Sequence, residues 1–196
     1  SVANIGDLDG NGVNDLAVGE NLSLGGGSVA TGAVYILFMD EDPGNGLAKA
    51  TVVIDGTTTN GPTLSLQDRF GASVANMGDM DGNGVNDLAV GARGDESYTG
   101  AVHILFMNSD GSVDSTIEIN SSTDNGPTLS AGDSFGTGLA HIGDLNGDGV
   151  NDLVVGADRD NGDNEDVGAV HILFLTSEIE EVKKSSDCYD CEAPKL

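Results

Sequence analysis

Hydrophobic residues along the chain occur in short runs rich in Val, Ile and Leu, and each run is bounded by Gly, Asn or Asp. Such runs are typical of β-strands, because an amphipathic helix spaces its apolar positions three or four residues apart over a longer window. Within one stretch the pattern predicts four strands, at about 70–77, 88–91, 101–107 and 115–119. The third of these reads Ala-Val-His-Ile-Leu-Phe and is apolar at both alternating positions, so we expect it to be buried on both faces.

The same pattern of runs and turns occurs three times. The segment 1–19 returns almost unchanged at 73–91 and, with substitutions, at 138–156. The block Gly-Ala-Val-Tyr/His-Ile-Leu-Phe follows each copy, at 32–38, 100–106 and 168–174. A sheet that is buried on both faces must stack on another sheet. Repeated four-stranded units that stack in this way are typical of propeller blades.

The sequence therefore predicts an all-β fold of about three four-stranded antiparallel blades of the β-propeller type. We place the blades at about 1–60, 61–125 and 126–175, followed by a tail of different composition at 176–196. The start of that tail is ambiguous. It is equally compatible with a fourth strand of the last blade and with a short helix at 177–184, where Ser177 and Glu180 have the spacing of a capping box.

A loop with oxygen donors at alternate positions joins the first and second predicted strands of every unit. Carboxylate and amide oxygens at positions one, three, five and nine, with a main-chain carbonyl at seven, converge on one centre when glycines allow a tight turn. Hard oxygen donors without His or Cys favour calcium. The sequence thus predicts about three calcium sites. Their ligands are Asp7, Asp9, Asn11, Val13 and Asp15; Asp79, Asp81, Asn83, Val85 and Asp87; and Asp144, Asn146, Asp148, Val150 and Asp152.

These loops are not EF-hands. An EF-hand requires a bidentate Glu at position twelve, where this chain has Val18, Val90 and Val155 inside predicted strands. The Asp at position nine must close the site instead. Asp-Gly and Asn-Gly pairs also form ordinary turns, but three loops with the same donor spacing favour metal sites.

The chain has 33 acidic and 7 basic residues, which gives it a formal charge of −26. Nucleic acids and anionic membrane surfaces need a basic partner, so we expect neither as a ligand. No apolar run reaches the roughly 20 residues of a membrane helix, so we expect no membrane span. The sequence begins with Ser1, and we expect it to be a processed product or a fragment.

The Phe-Gly pairs at 70–71 and 135–136, the Asp-x-Asp-x-Asn/Asp-Gly-x-x-Asp loops and the following Asp-Leu-Ala-Val-Gly-Ala resemble the FG-GAP repeats of the integrin alpha-chain β-propeller. The resemblance covers about residues 1–175. It implies that 1–5, 70–77 and 135–142 are inner strands around a propeller axis, and that the loops hold calcium. It also implies an extracellular or cell-surface location and adhesive or structural work. Enzymes with such repeats have their chemistry outside them, so we predict no catalytic activity.

Integrin propellers close with seven blades. The sequence of this chain predicts about three blades, which form an incomplete ring. Unpaired blade edges are templates for another chain. We therefore predict a calcium-binding structural module that assembles with copies of itself, by strand complementation, into a surface fibre or layer. The alternatives are an adhesion fragment of a larger surface protein, completed by neighbouring blades and binding a glycan or a cell-surface protein, and an accessory domain of a secreted enzyme.

Several smaller motifs carry weaker predictions. Cys188 and Cys191 lie in an acidic tail, where a structural disulfide is favoured over a redox dithiol or half a zinc site. Asn21 and Asn120 begin glycosylation sequons, which have meaning only in an exported protein. Arg-Gly-Asp at 93–95 spells an integrin-binding tripeptide. Because a match of three residues in a loop occurs easily by chance, we favour an ordinary turn.

The histidines are predicted to be structural. His103 and His171 stand where the first unit has Tyr35, and His141 stands where the other units have Asn4 and Asn76. Because the repeats exchange these residues freely, we expect no catalysis to depend on them.

Overall fold

A computed structural model describes residues 1–22, 31–40, 48–160 and 168–176. The predicted tail at 176–196, with Cys188, Cys191 and the strand or helix at 177–184, lies outside these residues except for its first position. Eleven strands and one helical turn are found in the described part. In chain order they are β1 (Val2–Gly6), β2 (Asp15–Glu20), β3 (Ala33–Met39), β4 (Ala48–Ile54), β5 (Phe70–Gly78), β6 (Asp87–Ala92), α1 (Asp95–Tyr98), β7 (Ala101–Met107), β8 (Val113–Ile119), β9 (Phe135–Gly143), β10 (Asp152–Ala157) and β11 (Ala169–Leu173).

The strands form three separate antiparallel sheets, which we call blades one, two and three. Blades one and two are four-stranded meanders, β1-β2-β3-β4 and β5-β6-β7-β8, and blade three has the order β9-β10-β11 among the described residues. The three sheets do not close into a ring. The prediction of an all-β fold built from incomplete propeller blades is confirmed.

The blades stack face to face, as we expected from the strand that is apolar at both alternating positions. All residues of β6 and β7 in the central blade are buried. One cluster of buried side chains, including Ile36 and Leu105, lies between blades one and two. A second cluster, including Ile104 and Leu153, lies between blades two and three. Alternate residues of β7 thus supply both cores.

Each Phe-Gly pair marks a junction between two blades. Phe70 is fully buried, and its N–H donates to the carbonyl of Thr31 at 3.0 Å, next to a parallel bridge with Gly32. Gly71 has a φ of +85°, and a Cβ built on it would lie 2.5 Å from the carbonyl oxygen of Ala33. The second position of the pair must therefore be glycine, both for its left-handed conformation and for the close approach of the preceding blade.

Side chains from two loops and from β5 add hydrogen bonds across the junctions. Asn86 Nδ2 donates to the carbonyl of Ile5 at 2.9 Å, and Asn151 Nδ2 donates to the carbonyl of Met77 at 2.8 Å. Ser73 Oγ donates to the carbonyl of Gly136 at 2.7 Å. The bonds made by the two Asn side chains come from equivalent loop positions, so one docking geometry is used at both junctions.

The loop between β6 and β7 contains the turn α1, where the sequence predicted only a loop. Glu96, Ser97 and Tyr98 have φ values of +44°, +63° and +67°, which is a left-handed turn rather than an ordinary helix. Non-glycine residues adopt this conformation only when their surroundings enforce it. Tyr98 is held by Arg69, which lies 5.1 Å from the centre of its ring and donates to its hydroxyl.

The outer faces of the terminal blades expose apolar side chains. Val2 in blade one is 66% exposed and Val170 in blade three is 71% exposed. Equivalent faces inside the stack are buried. None of the helical residues that the structure describes forms a segment long and apolar enough to cross a membrane.

Candidate metal centre

Two of the three predicted loops bring three carboxylates together. In the first loop, one oxygen each from Asp7, Asp9 and Asp15 lie within 4.8 Å of one another. The corresponding loop of blade two does the same with Asp79, Asp81 and Asp87. Oxygen ligands bind calcium at about 2.3–2.6 Å, so oxygens that share one ion lie up to about 5 Å apart. Both groups fit this requirement.

The Asp at position nine joins the loop to two other parts of its blade. Asp87 is fully buried at the start of β6, and its two oxygens accept the N–H groups of Met80 at 2.7 Å and Met107 at 2.9 Å. The first of these donors lies in the loop and the second ends β7. Asp15 and Asp152 make the same pair of bonds, to Leu8 with Met39 and to Leu145 with Leu175. This residue therefore fixes the loop against the third strand in blades one and two, and against the segment just after the third strand in blade three.

The Asp at position one organises the turn itself. Asp79 accepts the N–H groups of Gly82 and Gly84 at 2.7 and 2.9 Å, and this arrangement recurs in the third loop, where Asp144 accepts those of Gly147 and Gly149. These bonds, with the Gly149 N–H first, lower the pKa of the Asp144 carboxyl. The first-position carboxylates are thus held in place by the glycine-rich backbone.

The residues at positions five and seven form a small hydrogen-bonded turn. Asn83 Oδ1 accepts the N–H of Val85 at 2.7 Å, and Asn83 Nδ2 donates to the carbonyl of Met107 at 3.0 Å. Asn11 makes the equivalent bonds to Val13 and Met39. The amide oxygens at position five are oriented in this way, whereas the valine carbonyls stay predicted ligands.

The third loop differs from the other two. The structure describes the whole of this loop. Its carboxylates, Asp144, Asp148 and Asp152, do not form a group with oxygens within 4.8 Å of one another. Asn146 occupies position three, where the other loops have Asp9 and Asp81, and its Nδ2 donates to Asp148 at 3.0 Å. A third site stays a prediction, with a weaker arrangement of charges.

The second loop carries an excess of negative charge that affects Asp87. Burial raises the pKa of the Asp87 carboxyl to about 6; hydrogen bonds from Met107 and Met80 oppose the shift, and the charges of Asp81 and Asp79 add to it. A bound cation would reverse this effect because it favours the ionised carboxylate. The donor set, all oxygen and rich in carboxylate, matches calcium.

A lysine distinguishes the first loop from the second. Lys49 Nζ in β4 lies 2.7 Å from Asp9 Oδ2. The strand registers place Ala48 opposite Met39 and Val113 opposite Met107, so Asp114 has the position of Lys49 in blade two. The chain therefore offsets part of the first loop's charge and adds to that of the second.

The sequence matches a known family. A family model described as the FG-GAP repeat matches residues 70–105 and 135–173, which begin at the two Phe-Gly pairs. The chain belongs to the FG-GAP repeat family. Its matched FG-GAP repeats cover the first three strands of blade two and of blade three.

Integrin alpha chains are among the relatives of these FG-GAP repeats. The chain is 34% identical to integrin alpha-PS5 of Drosophila melanogaster over 151 residues, which cover 77% of this chain and 14% of that protein. It is 31% identical to integrin alpha-IIb of Mus musculus over 156 residues, again 77% of this chain and 14% of the relative. Phosphatidylinositol-glycan-specific phospholipase D of Bos taurus is 32% identical over 180 residues, 87% of this chain and 20% of that enzyme. The matched region is thus a small part of each relative.

The other predicted sites have varied surroundings. Asn21 lies in the turn after β2, and its sequon continues beyond the described residues. Asn120 is 9% exposed, and its Nδ2, the atom that would carry a glycan, donates to Glu118. In the Arg-Gly-Asp tripeptide, Gly94 is buried and its N–H donates to the carbonyl of Asp68 at 2.9 Å. This geometry favours a packed turn over a free recognition loop.

Sequence reasoning missed two features of these sites. The first is a pair of long-range contacts: Asp87 accepts the N–H of Met107, and Asp9 pairs with Lys49. Both partners lie in strands that are distant in sequence. A third group of ligand-type side chains, formed by Asp95, His103 and Glu118, was also missed. The one local signal for it was the replacement of Tyr35 by histidine in the second unit, next to an acidic turn.

Proposed function

We propose that this chain is a calcium-stabilised, non-catalytic segment of an extracellular adhesion-type propeller. The observation that carries the proposal is the convergence of three carboxylates in each of two loops, at the junction of the first three strands of a blade. The relationship to integrin alpha chains supports the adhesive role and the location outside the cell. Any ligand, whether a glycan or a cell-surface protein, would bind to the completed propeller.

Calcium would act here as a structural ion. Each loop carries three carboxylates, whose mutual repulsion is relieved when a divalent cation binds among them. Because Asp15 and Asp87 also accept N–H groups from the third strands, a bound ion would stabilise the contact between loop and sheet. Extracellular modules bind calcium with dissociation constants of about 10⁻⁴–10⁻³ M.

The test is thermal unfolding of the purified chain in millimolar calcium, in magnesium and after chelation. For three sites at about 2 mM calcium, mass action gives roughly 2–5 kcal/mol of added stability, or about 5–15 °C in Tm. Magnesium should produce a smaller shift because it prefers a stricter octahedron. An unchanged Tm after chelation would contradict the proposal.

Completion of the ring by further blades is a second part of the proposal. The junction bonds run from Asn86 to the Ile5 carbonyl and from Asn151 to the Met77 carbonyl. At the free ends, Asn14 holds the donor position and is exposed, and Ile142 holds the acceptor position with 37% exposure. The two ends are therefore complementary, and the exposed Val2 and Val170 would be covered in a head-to-tail contact.

Such a contact fits both neighbouring blades of a longer chain and copies of this chain. Light scattering and negative-stain microscopy of the purified chain distinguish them. Filaments or rings that weaken in Asn14→Ala, with Asn21→Ala as a control, would support self-assembly into a fibre or layer. A monomer at all concentrations would favour blades of a longer adhesive protein.

A further inference from the structure

His103 lies in the middle of β7 and has no hydrogen-bond partner for its imidazole. The residue is 1% exposed, and neither Nδ1 nor Nε2 makes a hydrogen bond. An unsatisfied buried polar group costs about 1–3 kcal/mol, and native structures contain few of them. Its environment keeps the ring neutral, because burial lowers the pKa of His103 to about 4. A neutral imidazole offers one nitrogen as an acceptor for a cation.

Two carboxylates lie next to this imidazole. One ligand atom each from Asp95, His103 and Glu118 lie within 4.8 Å of one another. Glu118 is the register partner of His103 on β8, and Asp95 begins the turn α1. The group is therefore assembled from three separate elements of blade two. It shares no residue with the calcium loops.

Among the residues that the structure describes, the aromatic side chain at the position of His103 has a polar partner in both other blades. In blade one Tyr35 takes the position of His103 and donates to Glu20 at 3.0 Å. In blade three His171 lies 3.3 Å from Asp160. The phenylalanine contact is the same in blades two and three, since Phe70 and Phe135 each meet their histidine edge-on. Packing against phenylalanine therefore does not account for the missing partner of His103.

The two carboxylates are partly buried and have further acidic side chains as neighbours. Burial raises the pKa of the Asp95 carboxyl, the charge of Glu96 adds to the shift, and a hydrogen bond with Glu118 opposes it. Burial likewise raises the pKa of Glu118, again against a hydrogen bond, with Asp95, Glu96 and Asp68 adding to it. Among the described residues, no salt bridge joins these carboxylates to a lysine or arginine. A cation bound here would favour the ionised form of both carboxylates.

Neighbouring groups orient the side chains as metal sites require. Asn120 Nδ2 donates to Glu118 Oε1, and such bonds to ligating carboxylates fix their geometry. Asp95 is held through the turn, where the N–H of Tyr98 donates to the Gly94 carbonyl at 3.1 Å. The left-handed conformation of residues 96–98 is strained, so a ligand at Asp95 would help to hold it.

We propose that Asp95, His103 and Glu118 bind one zinc ion, with water completing its coordination. One imidazole nitrogen and two carboxylates suit zinc, whereas calcium takes only oxygen ligands. Zinc ligands lie at about 2.0–2.2 Å from the ion and so about 3.5 Å from one another. From separations of up to 4.8 Å, each of the three atoms therefore needs to move inward by at most roughly 0.8 Å. The ion would clamp the turn α1 to the third and fourth strands. This site goes beyond the proposed function and does not depend on it.

The test is isothermal titration of the whole chain with zinc chloride. Millimolar calcium is present throughout, so that it competes with zinc for the oxygen-rich loops. The chain carries Cys188→Ser and Cys191→Ser, because free cysteine thiolates bind zinc and would add to the titration. In this background we expect one zinc ion per chain. Failure of the calcium proposal would appear in the unfolding experiment, whereas the zinc site is tested by substitution of its own three ligands.

Three substitutions identify the ligands. Asp95→Asn and Glu118→Gln should each weaken zinc binding at least about tenfold, and His103→Tyr, which installs the residue of blade one, should abolish it. His171→Tyr in blade three is the matched control and should bind zinc as the parent does. Circular dichroism checks each fold; if His103→Tyr does not fold, the two carboxylate variants decide.

Two results would overturn the proposal. One is the absence of stoichiometric zinc binding in the cysteine-free chain. The other is binding that is unchanged by both Asp95→Asn and Glu118→Gln, which would place the ion elsewhere. Cobalt(II) gives an independent readout, because its visible spectrum reports a nitrogen ligand. That spectrum should change in the His103 variant and persist in the His171 variant.

Discussion

Replacement of Asp87 by asparagine tests whether the second loop works as a calcium site. Asparagine keeps the shape but offers one acceptor to the N–H groups of Met80 and Met107, so one of them is left unsatisfied, at about 1–3 kcal/mol. The substitution also removes a buried charge. Because the pKa of Asp87 is about 6 in the metal-free fold, ionisation at neutral pH costs up to about 3 kcal/mol.

These two effects oppose each other when calcium is absent. We therefore expect Asp87→Asn to differ from the parent by no more than about 1–2 kcal/mol after chelation. In calcium the variant also loses the stabilisation that one ion provides. At about 20 mM calcium and a dissociation constant of about 10⁻⁴–10⁻³ M, this is roughly 2–3 kcal/mol. The effect of the substitution should thus depend on calcium.

The assay is urea unfolding followed by circular dichroism at pH 7.5, in calcium and in EDTA, for parent and variant. The substitution changes the free energy of unfolding by one amount in calcium and by another in EDTA. The decisive quantity is the difference between these two changes. Asp124→Asn is the control, because it changes the net charge equally at an exposed turn. An Asp87→Asn effect that is equal in calcium and EDTA, within about 0.5 kcal/mol, would refute a calcium site in this loop.

Two further substitutions test the fold. Gly71→Ala should destabilise the chain by more than about 1 kcal/mol, because its Cβ would meet the carbonyl of Ala33 at 2.5 Å. Gly132→Ala, also at positive φ but with open space around it, should cost less in the same urea assay; equal costs would argue against the close junction. Burial raises the pKa of Asp68 to about 6, and the charge of Asp95 adds to the shift. The parent therefore loses stability as the pH rises from 3.8 to about 6, and Asp68→Asn should be more stable by on the order of 2 kcal/mol at pH 8 but equal near pH 3. A pH-independent difference in unfolding free energy would contradict this.

The strands could be read from the sequence because their signal is local. The predicted range 101–107 coincides with β7, and the apolar residues on both of its alternations are buried as expected. The spacing of the donors in each loop is local as well. Asp7, Asp9 and Asp15 lie within nine consecutive residues, so a tight glycine turn is sufficient to bring them together.

The partners that complete these sites could not be read in the same way. Asp87 bonds Met107, which is 20 residues away, and Asn86 bonds Ile5, which is 81 residues away. Both contacts depend on how the strands align and how the blades dock. The left-handed turn at 96–98 has the same origin, since no glycine occurs within it. The burial of His103 without a partner follows from that docking as well.

The position of the proposed calcium loops would link metal binding to the stacking of blades. Asn86, which bonds the preceding blade, is adjacent to Asp87, which closes the loop and holds the end of β7. An ion that orders this loop therefore also orders the donor of the junction bond. Asn151 and Asp152 repeat the arrangement at the next junction. If calcium binds as proposed, each blade that acquires its ion becomes better able to hold the blade before it. An array of such blades would then respond to calcium as a connected structure rather than as independent sites.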